Sequence, residues 1–272
     1  MTDKLRQIIS LTQRYNFHSH TQFCDGRDTI ADLTKSAVVS GIEHLGFTPH
    51  SPLPIASPCN MSMTDVDCYK REIENAKILA EGKCQIYLGM EIDYLGSQWG
   101  PAAEYFKNLG LDYKIASVHF ISNQKGEYID IDGQFKDFKQ RMGEYFENDI
   151  RYVVSTFYAQ SHAMLNDGHF DILGHFDKVG LNASYFKPGI EDEAWYIVLV
   201  DELIDHIISS NVIVEINTKA RAEHGRFFPG ERYWHRLIRS KVPLMVNSDA
   251  HFANKLGASR NEAFDILKSM GA

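Results

Sequence analysis

The chain is poor in the features that mark several large protein classes. Its four cysteines, Cys24, Cys59, Cys68 and Cys84, form no CxxC pair. That excludes the usual thiolate zinc and dithiol redox motifs and leaves free thiols as the expectation. No stretch approaches the roughly 18 apolar residues of a membrane helix, so no membrane partner is expected. Positive charge is in the minority: 28 Lys and Arg stand against 36 Asp and Glu, a net charge of −8, which argues against nucleic acid as a partner. No GxGxxG or GxxxxGK(S/T) run follows a strand-like segment, so no nucleotide-cradling loop is expected. The first fifteen residues carry Asp3, Lys4, Arg6 and Arg14 without an apolar core. No secretory signal is therefore expected, and the expected location is cytoplasmic.

What the chain does have is a large apolar fraction, 44%, with 12% aromatic residues in 272, enough for one large α/β barrel or two smaller domains. Short β-rich runs alternate with segments of helical period. The strand candidates are residues 16–19, 44–48, 85–91, 113–118, 172–175, 212–216 and 244–247. Helical patterns fall at 30–40, 64–81, 134–166, 191–210, 231–240 and 261–268, with only a short helix at 101–107. Seven strands in regular alternation predict an α/β fold, a (β/α)7 barrel formed by one domain over residues 1–272.

Imidazoles and carboxylates recur where these strands end. The runs are Asn16-Phe17-His18-Ser19-His20, Phe47-Thr48-Pro49-His50, Gly89-Met90-Glu91, Ser117-Val118-His119, Gly174-His175-Phe176 and Asp249-Ala250-His251. Side chains two apart on a strand share a face, so His18/His20 and Asp249/His251 read as paired ligands. Active sites of β/α barrels gather at carboxyl strand ends, and the donors sit there. With Asp25 in the first loop, the candidate metal ligands are His18, His20, Asp25, His50, Glu91, His119, His175, Asp249 and His251. Nine donors exceed one coordination sphere and suit two or three divalent ions, with Glu91 as the natural bridge. Imidazole with carboxylate suits Zn, Mn or Fe alike. His44, at the start of a strand, and His162, His169, His206 and His235 read as structural or surface residues, and Cys24 as a small buried residue rather than a ligand.

These runs, together with Cys24-Asp25-Gly26, Gly46-Phe47-Thr48-Pro49-His50, Glu215-Ile216-Asn217-Thr218 and Asp171-Ile172-Leu173-Gly174-His175, resemble the polymerase-and-histidinol-phosphatase (PHP) superfamily, from Phe17 to Ala263. Within it the resemblance is to the monofunctional histidinol-phosphate phosphatases. It implies a distorted (β/α)7 barrel with three ions. His18, His20, Glu91 and Asp249 would hold one, Glu91, His119 and His175 a second, and Asp25, His50 and His251 a third. It also implies hydrolysis of a small phosphorylated substrate, L-histidinol phosphate, in histidine biosynthesis. Glu91 and Asp249 are then the expected catalytic residues, and Lys178, Arg221, Arg226 and His224 the expected substrate contacts. A second reading keeps the metals and changes the substrate to another small phosphomonoester or a nucleotide. A third is a metal-binding module without turnover. Whether the protein is a monomer or a homo-oligomer is left open at this stage.

Overall fold

The computed structural model describes residues 1–271. In chain order its first half comprises α1 (Thr2–Leu11), β1 (Tyr15–Asn16), α2 (Ile30–Val39), β2 (His44–Phe47), α3 (Val66–Leu79), β3 (Gln85–Asp93), α4 (Glu104–Lys107), β4 (Tyr113–Ser117), β5 (Phe120–Ser122) and β6 (Tyr128–Asp130). The second half comprises α5 (Phe135–Tyr145), α6 (Ile150–Asp167), β7 (Ile172–Leu173), α7 (Val179–Phe186), α8 (Ala194–Ser209), β8 (Ile213–Asn217), α9 (Arg221–His224), α10 (Trp234–Arg239), β9 (Leu244–Asn247) and α11 (Arg260–Ser269). Seven strands form one sheet in the order β1-β2-β3-β4-β7-β8-β9, every pairing parallel. β5 and β6 make a separate antiparallel hairpin. The expected α/β barrel is what the chain forms.

The seam between β9 and β1 is closed largely by side chains. The Phe17 amide donates to Asn247 Oδ1 at 2.8 Å, the Ser248 amide to Asn16 Oδ1 at 2.9 Å, and the Val246 amide to the Tyr15 hydroxyl at 3.2 Å. Backbone pairing appears only at the rim, where the His20 amide donates to the Ala250 carbonyl at 2.8 Å. An asparagine carbonyl reaches where a strand of only two residues cannot supply ladder partners. Asn16→Ala removes the acceptor of a buried N–H and is expected to destabilise by about 1–3 kcal/mol, measured by denaturant unfolding.

The barrel floor is filled by Phe17, Tyr87, Tyr113, Ile115, Ile172, Ile213 and Met245. Leu5 and Ile8 of α1 plug it from below. Tyr113 lies across the barrel and donates its hydroxyl to the Phe17 carbonyl at 2.6 Å. The ring fits because Gly46 and Gly89 have no side chain there: a Cβ would stand 2.0 Å from the Tyr113 hydroxyl at Gly46 and 2.5 Å from the ring at Gly89.

One helix expectation is corrected. Residues 134–166 are not one helix, because Glu147 and Asn148 adopt positive φ (52° and 59°) and break it. Asp149 then caps α6, its side chain accepting from the Tyr152 amide at 2.9 Å. The apolar positions Phe138, Met142, Phe146 and Ile150 keep a four-residue spacing through the break, so periodicity carried no sign of it. The α1 plug, the β5–β6 hairpin and α7 were not expected. Among the described residues no helix is long and apolar enough to cross a membrane.

Candidate metal centre

β1 to β4 and β7 to β9 point their carboxyl ends at one rim, and eight of the nine expected ligands follow from that placement. Asp25 joins them from the loop after β1. β1 ends at Asn16 and β9 at Asn247, so His18/His20 and Asp249/His251 lie just past their strands. Their convergence comes from turns rather than strand pleat. Asp249 sits at φ 48°, a left-handed conformation that Asp tolerates better than most residues.

Glu91 is the hub and is fully buried. Its Oε2 lies 3.2 Å from His18 Nε2, 3.4 Å from His20 Nε2 and 3.1 Å from His50 Nδ1. Its Oε1 lies 2.9 Å from His175 Nε2 and 3.6 Å from His119 Nε2. Asp249 Oδ1 is 3.0 Å from His20 Nε2, and Asp25 Oδ2 is 3.2 Å from His251 Nε2. Burial alone would raise the Glu91 carboxyl, but His18, His50 and His119 outweigh it and hold it well below the usual carboxylate range.

Several contacts are short of protons. His18 Nε2 and His20 Nε2 stand 3.2 Å apart, and His119 Nε2 and His175 Nε2 3.3 Å apart. Glu91 Oε2, Asp25 Oδ1 and His50 Nδ1 are buried with no hydrogen-bond partner. Lone pairs aimed at one another in a dry interior are costly unless a cation joins them, so the donor set fits divalent metal ions. The sets whose donor atoms lie within 4.8 Å of one another are His18, His20 and Asp249; Glu91, His119 and His175; His20, Asp25, His50 and His251; and His50, Asp93 and His119.

Reading the chain alone overlooked the residues behind the ligands. His18 Nδ1 donates to Glu215 Oε1 at 2.7 Å, and His119 Nδ1 to Asp93 Oδ1 at 2.6 Å. Ser117 donates to Glu91 Oε1 at 2.7 Å, and Asn217 to Asp249 Oδ2 at 3.0 Å. Period-two spacing was the available signal, since Glu91/Asp93 and Glu215/Asn217 are both i, i+2 pairs. Lys219 was overlooked as well; its Nζ lies 3.1 Å from His251 Nε2 and 3.4 Å from Asp249 Oδ1.

Beside the cluster a cavity of about 580 Å³ is lined by Lys178, Lys219, Asn217 and Asp249 toward the imidazoles, and by Phe135, Tyr185, Glu223, His224 and Phe228 farther out. Of the expected substrate residues it contains Lys178 and His224. Lys178 pairs with Asp132 at 2.7 Å. Burial would lower its pKa, but Asp132, Asp249 and Glu91 raise it, so it stays a cation. His224 Nδ1 meets the Tyr185 hydroxyl at 3.0 Å.

Arg221 and Arg226, the other two expected substrate contacts, do not line this cavity. Arg221 is held by Glu262 at 2.6 Å and Glu231 at 3.1 Å, stacked over Phe227. Arg226 is held by Glu191 at 2.6 Å and Asp177 at 3.0 Å, behind Phe228. Both guanidiniums are committed to carboxylates.

His162 and His206 bond one another at 2.9 Å, and His44 meets the Tyr87 hydroxyl at 2.9 Å. All four cysteines are free. Burial first, then Asp25, pushes the Cys24 thiol up to about 12, which keeps it a thiol beside His20.

A nearly closed parallel barrel carrying an imidazole–carboxylate cluster at its carboxyl rim defines a class, the β/α barrels with donor sets suited to divalent cations. Within that class the chain belongs to the PHP domain family, which it matches over residues 16–219. It is 24% identical over 260 residues to the histidinol-phosphatase of Bacillus subtilis, covering 90% of this chain and 96% of that one. A solved Listeria monocytogenes structure, provisionally named a histidinol phosphatase, superposes with a TM-score of 0.79 at 18% identity, covering 91% of this chain and 99% of that one. Histidinol phosphate phosphatase from Lactococcus lactis, solved with zinc, L-histidinol and phosphate, gives 0.64 at 19% identity, over 94% and 93%. Both structures share this fold.

Proposed function

We propose that the protein is a metal-dependent phosphate monoester hydrolase that converts L-histidinol phosphate and water to L-histidinol and phosphate, serving histidine biosynthesis in the cytoplasm, with residues 1–272 working as one metallophosphatase domain. The observation that carries this reading is the junction of the Glu91 cluster with a cavity that presents two ammonium groups, Lys178 and Lys219, beside Asp249. The names of the relatives and the zinc, L-histidinol and phosphate of the Lactococcus lactis structure support the same substrate.

Three divalent ions are assigned to the donors: one to His18, His20, Glu91 and Asp249, one to Glu91, His119 and His175, and one to Asp25, His50 and His251. Such ions, when bound, neutralise phosphoryl oxygens and acidify the attacking water. The chain's own side chains do the rest. Lys178 and Lys219 hold the non-bridging phosphate oxygens in a site where charges act at low dielectric. Glu223, His224, Tyr185 and Phe135 form the wall against which the amine and imidazole of the alcohol rest. Asp249 is kept ionised, because Lys219, His18 and His20 outweigh the effect of its burial. It therefore acts as an acceptor and ligand, not as the proton donor to the leaving alcohol.

Lys178→Ala is expected to lower kcat/KM for L-histidinol phosphate about 100-fold, in line with loss of one charge-stabilising donor. Steady-state phosphate release would check it, and an unchanged kcat/KM would remove Lys178 from the phosphate site. The reading as a whole is tested by stripping the protein with a chelator and restoring zinc or manganese. Activity on L-histidinol phosphate should vanish and return, and activity indifferent to metal would overturn it.

A further inference from the structure

The three donor sets are not built alike. His18 and Glu215 are both fully buried, and the 2.7 Å bond between them places the proton on Nδ1. The 2.6 Å bond from His119 to buried Asp93 does the same. A neutral imidazole with its proton on Nδ1 keeps its lone pair on Nε2. In both residues that nitrogen faces Glu91, His18 from the Oε2 side and His119 from the Oε1 side. Each carboxylate is itself anchored: Glu215 accepts from Asn247 Nδ2 at 3.0 Å and Asn217 Nδ2 at 3.2 Å, and Asp93 accepts from Asn60 Nδ2 at 2.8 Å.

The set around Asp25 lacks such backing. His251 Nδ1 lies closest to the Asp249 backbone carbonyl, at 3.0 Å, and the nearest carboxylate oxygen, Asp249 Oδ1 at 3.4 Å, is one already assigned to another ion. His50 has no carboxylate of its own behind it: its Nδ1 faces Glu91 Oε2 at 3.1 Å, an oxygen that His18 and His20 also face, and its Nε2 faces Asp25 Oδ1 at 3.8 Å. The Asp25 side chain is 28% exposed. The Lys219 ammonium lies 3.1 Å from His251 Nε2, where its charge opposes a cation.

We propose that Glu215 and Asp93 are positioning residues that grade the three ions. They lock His18 and His119 toward the Glu91 carboxylate, so the bridged pair is held tightly, while the ion of Asp25, His50 and His251 exchanges with solvent. The proposal rests on the metal assignment made above and adds an order of affinity to it. A ligating imidazole backed by a carboxylate typically loses about 10- to 100-fold in metal affinity when that carboxylate is changed. Neutral carbonyls and an adjacent ammonium offer no comparable support.

The test is metal release from the purified, metal-loaded protein into a chelator, with ions per chain counted by elemental analysis over time. One ion should leave fast and two slowly. Glu215→Gln should speed the loss of one slow ion about 10- to 100-fold, and Asp93→Asn that of the other, with the fast ion unchanged in both. Lys219→Met should slow the fast ion. Unfolding midpoints measured beside these separate a local effect from a global one, because a loosened fold would release all three ions together. Equal release of all three from the wild type, or unaltered release from both carboxylate variants, would overturn the grading. A loaded protein that holds no ions at all would instead overturn the metal assignment.

Discussion

Glu91→Gln is expected to remove turnover while the barrel stays folded. Glutamine preserves the shape of the side chain and can still accept from Ser117, which donates to Oε1 at 2.7 Å. What it removes is the negative charge facing His18, His20 and His50 on one oxygen and His119 and His175 on the other. A neutral amide cannot bridge two cations, and its NH₂ would point a donor at the metal position. Two ions per chain should be lost. Phosphate release should fall by at least about 10³-fold, since loss of a single preorganised charge-stabilising group already costs about 10² to 10³. Elemental analysis and single-turnover phosphate release would check both. Full metal content with near-normal turnover would contradict the role of Glu91 as the bridge.

The second large effect is expected in the barrel floor, at a residue that binds no metal. Gly46→Ala puts a methyl 2.0 Å from the Tyr113 hydroxyl and 3.0 Å from the Phe17 ring, inside the barrel floor. Tyr113 is also packed against Gly89, where a Cβ would stand 2.5 Å from its ring. Relief requires the phenol to leave the Phe17 carbonyl, which it meets at 2.6 Å, stranding a buried acceptor. Overpacking of this kind costs about 3 kcal/mol, a fall in Tm of about 6–12 °C for a chain of this size. Phe17 precedes His18, so the metal-binding rim should loosen along with it. Gly257→Ala is the control, an exposed position with no heavy atom within 4 Å of the added Cβ. Equal Tm for Gly46→Ala and the control would contradict the account of Tyr113 as the barrel's cross-brace.

These two sites differ in how far they could be read from residue order. The ligand set was legible because each donor follows a strand-like run, and parallel barrels bring such positions to one rim. Glu91 and Asp249 stood out as the two carboxylates among six imidazoles at strand ends. Gly46 and Gly89 gave no such signal, since a glycine's purpose depends on a ring, Tyr113, more than twenty residues away. Glu215 and Asp93 were hidden for a related reason. Their role is set by which imidazole nitrogen they face, and that requires the strands to be assembled. The partners of Arg221 and Arg226 were hidden in the same way, since Glu262, Glu231, Glu191 and Asp177 meet them only in the folded chain. The helix break at Glu147–Asn148 escaped because the apolar spacing ran on across it. Local patterns thus exposed the fold class and the ligands, while the groups that hold those ligands in place are defined by contacts between distant strands.

The most direct measurement is kcat/KM for phosphate release from L-histidinol phosphate by the metal-loaded protein, beside p-nitrophenyl phosphate and a mononucleotide. The Lys178–Lys219 cavity with Glu223 and His224 on its wall leads to an expected kcat/KM for L-histidinol phosphate at least about 100-fold above the other two, the size of discrimination that paired polar contacts supply. Comparable weak rates on all three would contradict the histidinol phosphate assignment and leave only a general metal-dependent phosphoesterase.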